Sequence, residues 1–163
     1  MFNDIGNTPS TMAAARAAVA CAAVDAELSL LQSDCKRAYT QARFECHPTF
    51  VRLPKKWWPE HWKRFKNPVC RLDFALYGHP KAGDIWGDRL EQVLVDERGF
   101  EAIEGWPSVY IKRFPNAKGG KPGVLVIIAY VDDLLFLGTP HMHAEIAEIR
   151  KSIKMDDPSP LQK

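Results

Sequence analysis

No apolar run in this 163-residue chain approaches the roughly 20 residues that a membrane-spanning helix needs, so no membrane partner is expected. The Ala-rich N-terminal stretch has no basic leader and carries Asp25 and Glu27, which argues against a secretory signal. A large excess of one charge is missing too. The net charge is +2, so any nucleic-acid affinity must come from a local basic surface and not from the chain as a whole. The four cysteines (Cys21, Cys35, Cys46 and Cys70) show no CxxC spacing, and their irregular intervals favour reduced thiols over a disulfide framework or zinc knuckle. Cys46-His47 could begin a metal site, but a second ligand pair is lacking. These absences lead to the expectation of a soluble, intracellular chain that is not secreted. Its length and 46% apolar content suit one domain, or a piece of a larger protein, able to bury a core.

No internal repeat or low-complexity segment appears beyond the Ala-rich stretch. Thr8-Pro9-Ser10-Thr11 carries cap signals, and Met12 to Ala26 is helical by propensity. Leu28 to Ser33 reads as a short strand stopping at Asp34. Pro48, Pro54, Pro59 and Pro68 then break residues 47–71 into short pieces. Ile85, Trp86, Leu90, Val93 and Leu94 fall on one face of a helix from about Ala82 to Arg98, with Gly99 as its stop. Strands are expected over Ser108–Phe114, Val124–Tyr130 and Leu134–Leu137, and Ala144, Ile146, Ile149 and Ile153 mark a last amphipathic helix. The order implies an α+β fold, an antiparallel sheet with helices packed on one face. Its parts would be a tail (1–10), a helix and first strand (11–46), a basic and aromatic loop region (47–71), a helix and hairpin (72–138) and a C-terminal helix and tail (139–163).

The segment AYVDDLLFLG, residues 129–138, sets two adjacent carboxylates inside one of the most apolar runs of the chain. Burying an ionised carboxylate is costly without a partner, and two side by side also repel. If Leu28–Ser33 and the strands flanking Asp132 share one sheet, Asp34 would meet the pair at a strand end. Three carboxylates there suit Mg²⁺, a hard cation that takes oxygen ligands, and two such ions about 4 Å apart can activate a hydroxyl and stabilise a leaving pyrophosphate. The alternative is that Asp132-Asp133 is only a polar turn, since Asp is common in turns.

Tyr130-Val131-Asp132-Asp133 resembles the YxDD box of reverse transcriptases. Further stretches resemble the copia-type retrotransposon branch, in the expected order. Ser33-Asp34-Cys35-Lys36-Arg37-Ala38-Tyr39 is similar to the first catalytic box, D-V-K-x-A-F. Val69-Cys70-Arg71-Leu72 and Ala75-Leu76-Tyr77-Gly78 with Trp86 are similar to V-C-R-L-x-x-x-L-Y-G-L-K-Q-A-P-x-x-W, and Arg98-Gly99-Phe100 to L-G-F. The resemblance runs from about Thr11 to Leu161.

It implies a polymerase palm with incomplete fingers and no thumb, a fragment of a retrotransposon polyprotein. Asp34, Asp132 and Asp133, with the Cys35 backbone carbonyl, would hold two Mg²⁺ ions, or Mn²⁺ as a substitute, for RNA-directed DNA synthesis. Tyr39 matches the aromatic ring beneath the incoming sugar, a steric gate against the 2′-hydroxyl. Lys81 stands where the family has a glutamine that positions nucleotide and template. Implied partners are an RNA or DNA template with its primer, deoxynucleoside triphosphates and the remaining fingers, thumb and RNase H parts, in a cytoplasmic retrotransposon particle. Without those fingers, little primer extension is expected of the chain alone. Two rivals stay open: a non-catalytic nucleic-acid-binding remnant, and a two-metal nuclease or transposase using Asp34, Asp132 and Glu145.

Between Arg52 and Arg71 the chain holds seven Lys or Arg against one acidic residue, Glu60, interleaved with Trp57, Trp58, Trp62 and Phe65. Lys55, Lys56, Lys63 and Arg64 could follow a phosphate backbone while Trp57 and Trp58 stack on bases. The plainer reading has the rings covering the core and the lysines solvated. His141 and His143 are expected at the surface near the last helix, their spacing wrong for a shared helical metal site.

Overall fold

A computed structural model describes residues 9–45, 48–115 and 122–161. The cap signal works as expected: the Thr11 hydroxyl oxygen accepts a hydrogen bond from the Ala14 amide at 3.4 Å and opens α1 (Met12–Val24). β1 (Ser29–Asp34) follows, then a 3-10 turn over Ala38–Gln41. β2 (Phe50–Val51) and β3 (Cys70–Arg71) pair as a small ribbon that carries two further 3-10 turns, Lys55–Trp57 and Glu60–Trp62, in its loop. The expected second helix is α2 (Ala82–Glu91), which widens into a π-helical stretch, Gln92–Glu97, before Gly99 (φ +68°) ends it.

β4 (Glu101–Ala102), β5 (Val109–Phe114), β6 (Gly123–Tyr130) and β7 (Asp133–Gly138) come next, followed by α3 (Met142–Ser152) and β8 (Ser159–Pro160). The large sheet is antiparallel, in the order β4-β5-β6-β7-β1-β8. The strand before Asp34 therefore does share a sheet with the two strands flanking Asp132. Both edges are two-residue strands, which leave little unpaired backbone for another chain to join.

The β-branched run of β6 and the Leu-Leu-Phe-Leu run of β7 are apolar on both faces, so the sheet needs cover on both sides. On one face Leu125, Ile127, Leu134 and Phe136 pack with Trp86, Val93, Leu94, Met142, Ile146 and Ile149 from α2, the π turn and α3. On the other, Ile128 and Leu137 pack against Ala14 and Ala18 of α1. The α+β sheet stands as expected, but its helices are divided, α2 and α3 beneath and the Ala-rich α1 above. Small side chains let α1 lie close to a strand surface that would otherwise be wet. Fully burying one of the large aliphatic or Phe side chains stabilises by about 1.5–3 kcal/mol. Among the described glycines Gly138 is the most crowded, since a Cβ there would fall 2.5 Å from the Val124 carbonyl oxygen.

The described cysteines Cys21, Cys35 and Cys70 are free thiols. Cys46 and His47 lie outside the described residues. His143 is exposed as expected, whereas His141, the residue before α3, is half-buried with its ring beside Gly123. No helix among the described residues is long and apolar enough to cross a membrane.

Candidate functional site

Antiparallel pairing brings the two carboxylate-bearing segments together. Asp34, the last residue of β1, is opposite Asp133, the first of β7, and Asp133 is in turn opposite Tyr130 at the end of β6. The hairpin turn is therefore Val131-Asp132, and Asp133 already belongs to the strand; a two-residue connection is the tightest that joins neighbouring antiparallel strands. Placed at the strand ends, Asp34 and Asp133 are exposed and Asp132 half-buried, so the apolar run does not bury them.

The turn is strained and held. Val131 has φ +58°, a region that β-branched residues seldom occupy. Two contacts fix it: the buried Trp86 indole N–H donates to the Val131 carbonyl at 2.6 Å, and the Cys35 amide donates to the Asp132 carbonyl at 2.7 Å. The second contact ties the residue after Asp34 directly to the Asp132-Asp133 pair. Trp86 was legible in the sequence as an apolar residue on the helix face and as the Trp of a family motif. Its role at the turn had no local signal.

The shared location has electrostatic consequences. Partial burial, and then repulsion from Asp132 and Asp34, push the Asp133 carboxyl above its ordinary range. The Cys35 thiol is pushed up to about 12 by burial and then by Asp34, Asp132 and Asp133, so it stays protonated and unreactive. Uncompensated negative charge of this kind favours a divalent cation, and carboxylate oxygens are the donors Mg²⁺ prefers. Among the described residues, no three His, Cys, Asp or Glu side chains are already drawn into a group that could hold an ion.

Tyr39 follows in the 3-10 turn, half-buried, its ring 4.5 Å from that of Tyr77. Tyr77 is about half exposed, and its phenol is pushed up by lost hydration and then by Asp132, Tyr39 and Asp34. It thus sits beside the carboxylates, a placement that sequence reasoning missed. Lys81 is exposed at the start of α2, where its amide donates to His79 Nδ1 at 3.2 Å. Of the two, Tyr77 is the side chain seen packed against Tyr39.

Glu145 is spoken for. Its carboxylate, 9% exposed, lies 2.8 Å from Arg98 Nε and 3.0 Å from Lys112 Nζ. Burial opposes its ionisation, but hydrogen bonds from Arg98 and Lys112 outweigh burial and hold the carboxyl below the usual range. The structure gives no support to a nuclease set of Asp34, Asp132 and Glu145.

The basic, aromatic stretch forms a lobe around β2 and β3. Trp57 (63% exposed) and Phe65 (47%) face outward, while Trp58 and Trp62 are half-buried and Trp58 donates to the Leu53 carbonyl. Lys56 lies over the Trp57 ring, Lys55 over Trp58 and Arg64 over Phe65, at 5.4, 6.0 and 4.9 Å. Lys63 is instead paired with Glu60 at 2.7 Å. Trp58 and Trp62 are thus partly covered within the lobe and outside the core clusters, while Trp57 and Phe65 stand free with a cation beside them.

A six-stranded antiparallel sheet backed by helices, with carboxylates on adjoining strand ends, is the architecture of a polymerase palm. The family model described as reverse transcriptase (RNA-dependent DNA polymerase) matches residues 6–162, and the chain belongs to that family. The searches of curated proteins and of solved structures returned no match.

Proposed function

We propose that this chain is the palm-centred part of a copia-type retrotransposon reverse transcriptase, with Asp34, Asp132 and Asp133 as its catalytic carboxylates and residues 1–163 as one partial polymerase domain. The observation that carries the reading is the pairing of Asp34 with Asp133 across β1 and β7, locked by the Cys35 amide on the Asp132 carbonyl. The donor chemistry fits Mg²⁺: three carboxylates, with the Cys35 backbone carbonyl as a fourth oxygen, on a rigid sheet end whose mutual repulsion a divalent ion relieves. When bound, such ions would activate the primer 3′-hydroxyl and offset charge on the departing pyrophosphate.

The chain's own residues then perform the rest. The sheet end holds the carboxylates in fixed register, which matters because phosphoryl transfer depends on alignment. Tyr39, its ring packed 4.5 Å from that of Tyr77, would serve as the steric gate against a ribose 2′-hydroxyl. Lys81 can meet a phosphate, though as a point charge without the bidentate geometry of arginine. Lys55, Lys56, Trp57, Trp58 and Arg64 are suited to single-stranded template, cations along its phosphates and rings against its bases, with Lys63 partly committed to Glu60. The chain would thus act on a primed template and deoxynucleoside triphosphates, alongside the other parts of a polyprotein in a cytoplasmic particle.

Mn²⁺ titration followed by paramagnetic NMR broadening tests the centre. Broadening should concentrate on residues 34–35 and 132–133 and vanish in the Asp132→Asn, Asp133→Asn double variant. Binding that survives the double substitution would remove these carboxylates from the assignment.

A further inference from the structure

We propose that Gln41 is a positioning residue for the carboxylate centre: its carboxamide locks the Asp34-Cys35 turn to residues 154–156 and so sets where Asp34 and the Cys35 carbonyl stand relative to Asp132-Asp133. The inference rests on the metal-site reading above, but it begins from hydrogen bonds that this reading does not use.

Gln41 ends the 3-10 turn that follows the Asp34 strand, and both ends of its side chain are engaged. Nε2 donates to the Lys36 carbonyl at 2.8 Å and to the Lys154 carbonyl at 2.9 Å, and Oε1 accepts from the Lys154 amide at 2.7 Å. Two carbonyls and one N–H as partners fix which end is nitrogen. Residues 154–156 then run along the catalytic turn. The Lys36 amide donates to the Lys154 carbonyl at 3.0 Å and the Asp156 amide to the Asp34 carbonyl at 2.9 Å, while the Ser33 hydroxyl donates to the Asp156 carbonyl at 2.8 Å. Cys35 pairs with Met155 as an isolated bridge.

The Asp34-Cys35 backbone is thereby held from two sides. The Cys35 amide reaches the Asp132 carbonyl on one side, and the 154–156 segment holds the Asp34 carbonyl on the other. β8 offers that segment only a two-residue pairing with β1, Leu31 with Pro160 and Gln32 with Ser159, and the Lys36–Asp156 ion pair is more than half exposed. An exposed pair of this kind contributes little. Two hydrogen bonds from the Gln41 carboxamide bridge 113 residues of sequence to Lys154, and a third closes on Lys36, so one side chain ties both segments together. Arg37 between Lys36 and the 3-10 turn is itself left-handed (φ +53°), a conformation that non-glycine residues seldom adopt.

The test compares the full chain with Gln41→Met, which keeps the length and loses all three bonds, and Gln41→Glu, which keeps only the bond from the Lys154 amide. With Mn²⁺ as probe, Gln41→Met should lower affinity roughly 10-fold, the scale seen when groups that orient metal ligands are removed. In an Asp34→Asn background the same substitution should cause no further loss, because its effect passes through the Asp34 turn. Without metal, amide hydrogen exchange at Cys35 and Lys36 should quicken in Gln41→Met. Unchanged Mn²⁺ affinity, or an equal loss in the Asp34→Asn background, would overturn the role. Should Gln41→Met fail to fold, Gln41→Glu carries the same comparison with a smaller expected loss. If the wild-type chain shows no Mn²⁺ broadening that depends on Asp132 and Asp133, the metal reading fails; unchanged exchange at Cys35 and Lys36 instead defeats the positioning role alone.

Discussion

At the carboxylate end of the sheet, Trp86 is 2% exposed and donates to the Val131 carbonyl; in the basic lobe, Trp57 is 63% exposed with the Lys56 ammonium over its ring. Both regions are rich in aromatic and charged residues. They differ in what fixes them. The sheet end hangs on backbone groups whose partners come from distant elements, so its geometry is over-determined and can sustain a strained Val131. The lobe is stitched by neighbours in sequence, Lys56 with Trp57 and Arg64 with Phe65, and has only a two-residue ribbon beneath it. A surface held in this way can adapt its side chains to a partner, whereas the over-determined sheet end cannot.

Substitutions at the two regions should therefore separate sharply. Trp86→Ala should cost about 3–5 kcal/mol, by emptying a core site and leaving the Val131 carbonyl without its donor. Trp57→Ala should stay within about 0.5 kcal/mol. Denaturant midpoints decide this, and similar losses at both positions would erase the contrast.

The buried ion cluster on α3 belongs with the sheet in this comparison. Removing the Glu145 charge leaves Arg98 and Lys112 facing each other, and Glu145→Gln should cost on the order of 3 kcal/mol at neutral pH. Because the folded carboxyl lies below its ordinary value of 4.5, this stability is fully present above that pH and fades as pH falls through the lower folded value. Melting temperatures of wild type and variant should converge on acidification. A gap that stays constant with pH would mean that the loss is packing and not charge.

Smaller again is Gly138→Ala, where the new methyl would meet the Val124 carbonyl oxygen at 2.5 Å. Overpacking of this kind typically costs 1–3 kcal/mol. A neutral effect on thermal unfolding would show that β6 and β7 can part at that end.

The smallest stability effect belongs to the lobe. Replacing Lys55, Lys56, Lys63 and Arg64 by Ala should leave the melting temperature almost unchanged yet weaken single-stranded DNA binding and flatten its salt dependence, since fewer counterions are released. An unchanged salt slope would return the lobe to the role of a solvated loop.

The parts of the fold that the sequence displayed are those governed by short spacing. The Thr11 cap, the Gly99 stop, the β-branched run of β6 and the apolar face of α3 each act within a turn or a strand, and each element lies where its pattern places it. The DD pair, the order of motifs around it and the Tyr39 position were likewise readable, because they are strings of neighbouring residues. Tertiary structure alone decided the rest. It put α1 on the face opposite α2 and α3, because β6 and β7 are apolar on both sides and the pattern does not say which helix covers which. It packed Tyr77 against Tyr39, a contact that no reading of the sequence had named, and it gave Glu145 to Arg98 and Lys112. The contacts that hold the carboxylate end of the sheet span 45 residues from Trp86 to Val131 and 113 from Gln41 to Lys154. A hydrogen bond needs its partners within about 3 Å, and no local pattern along a chain records which distant groups folding will bring that close.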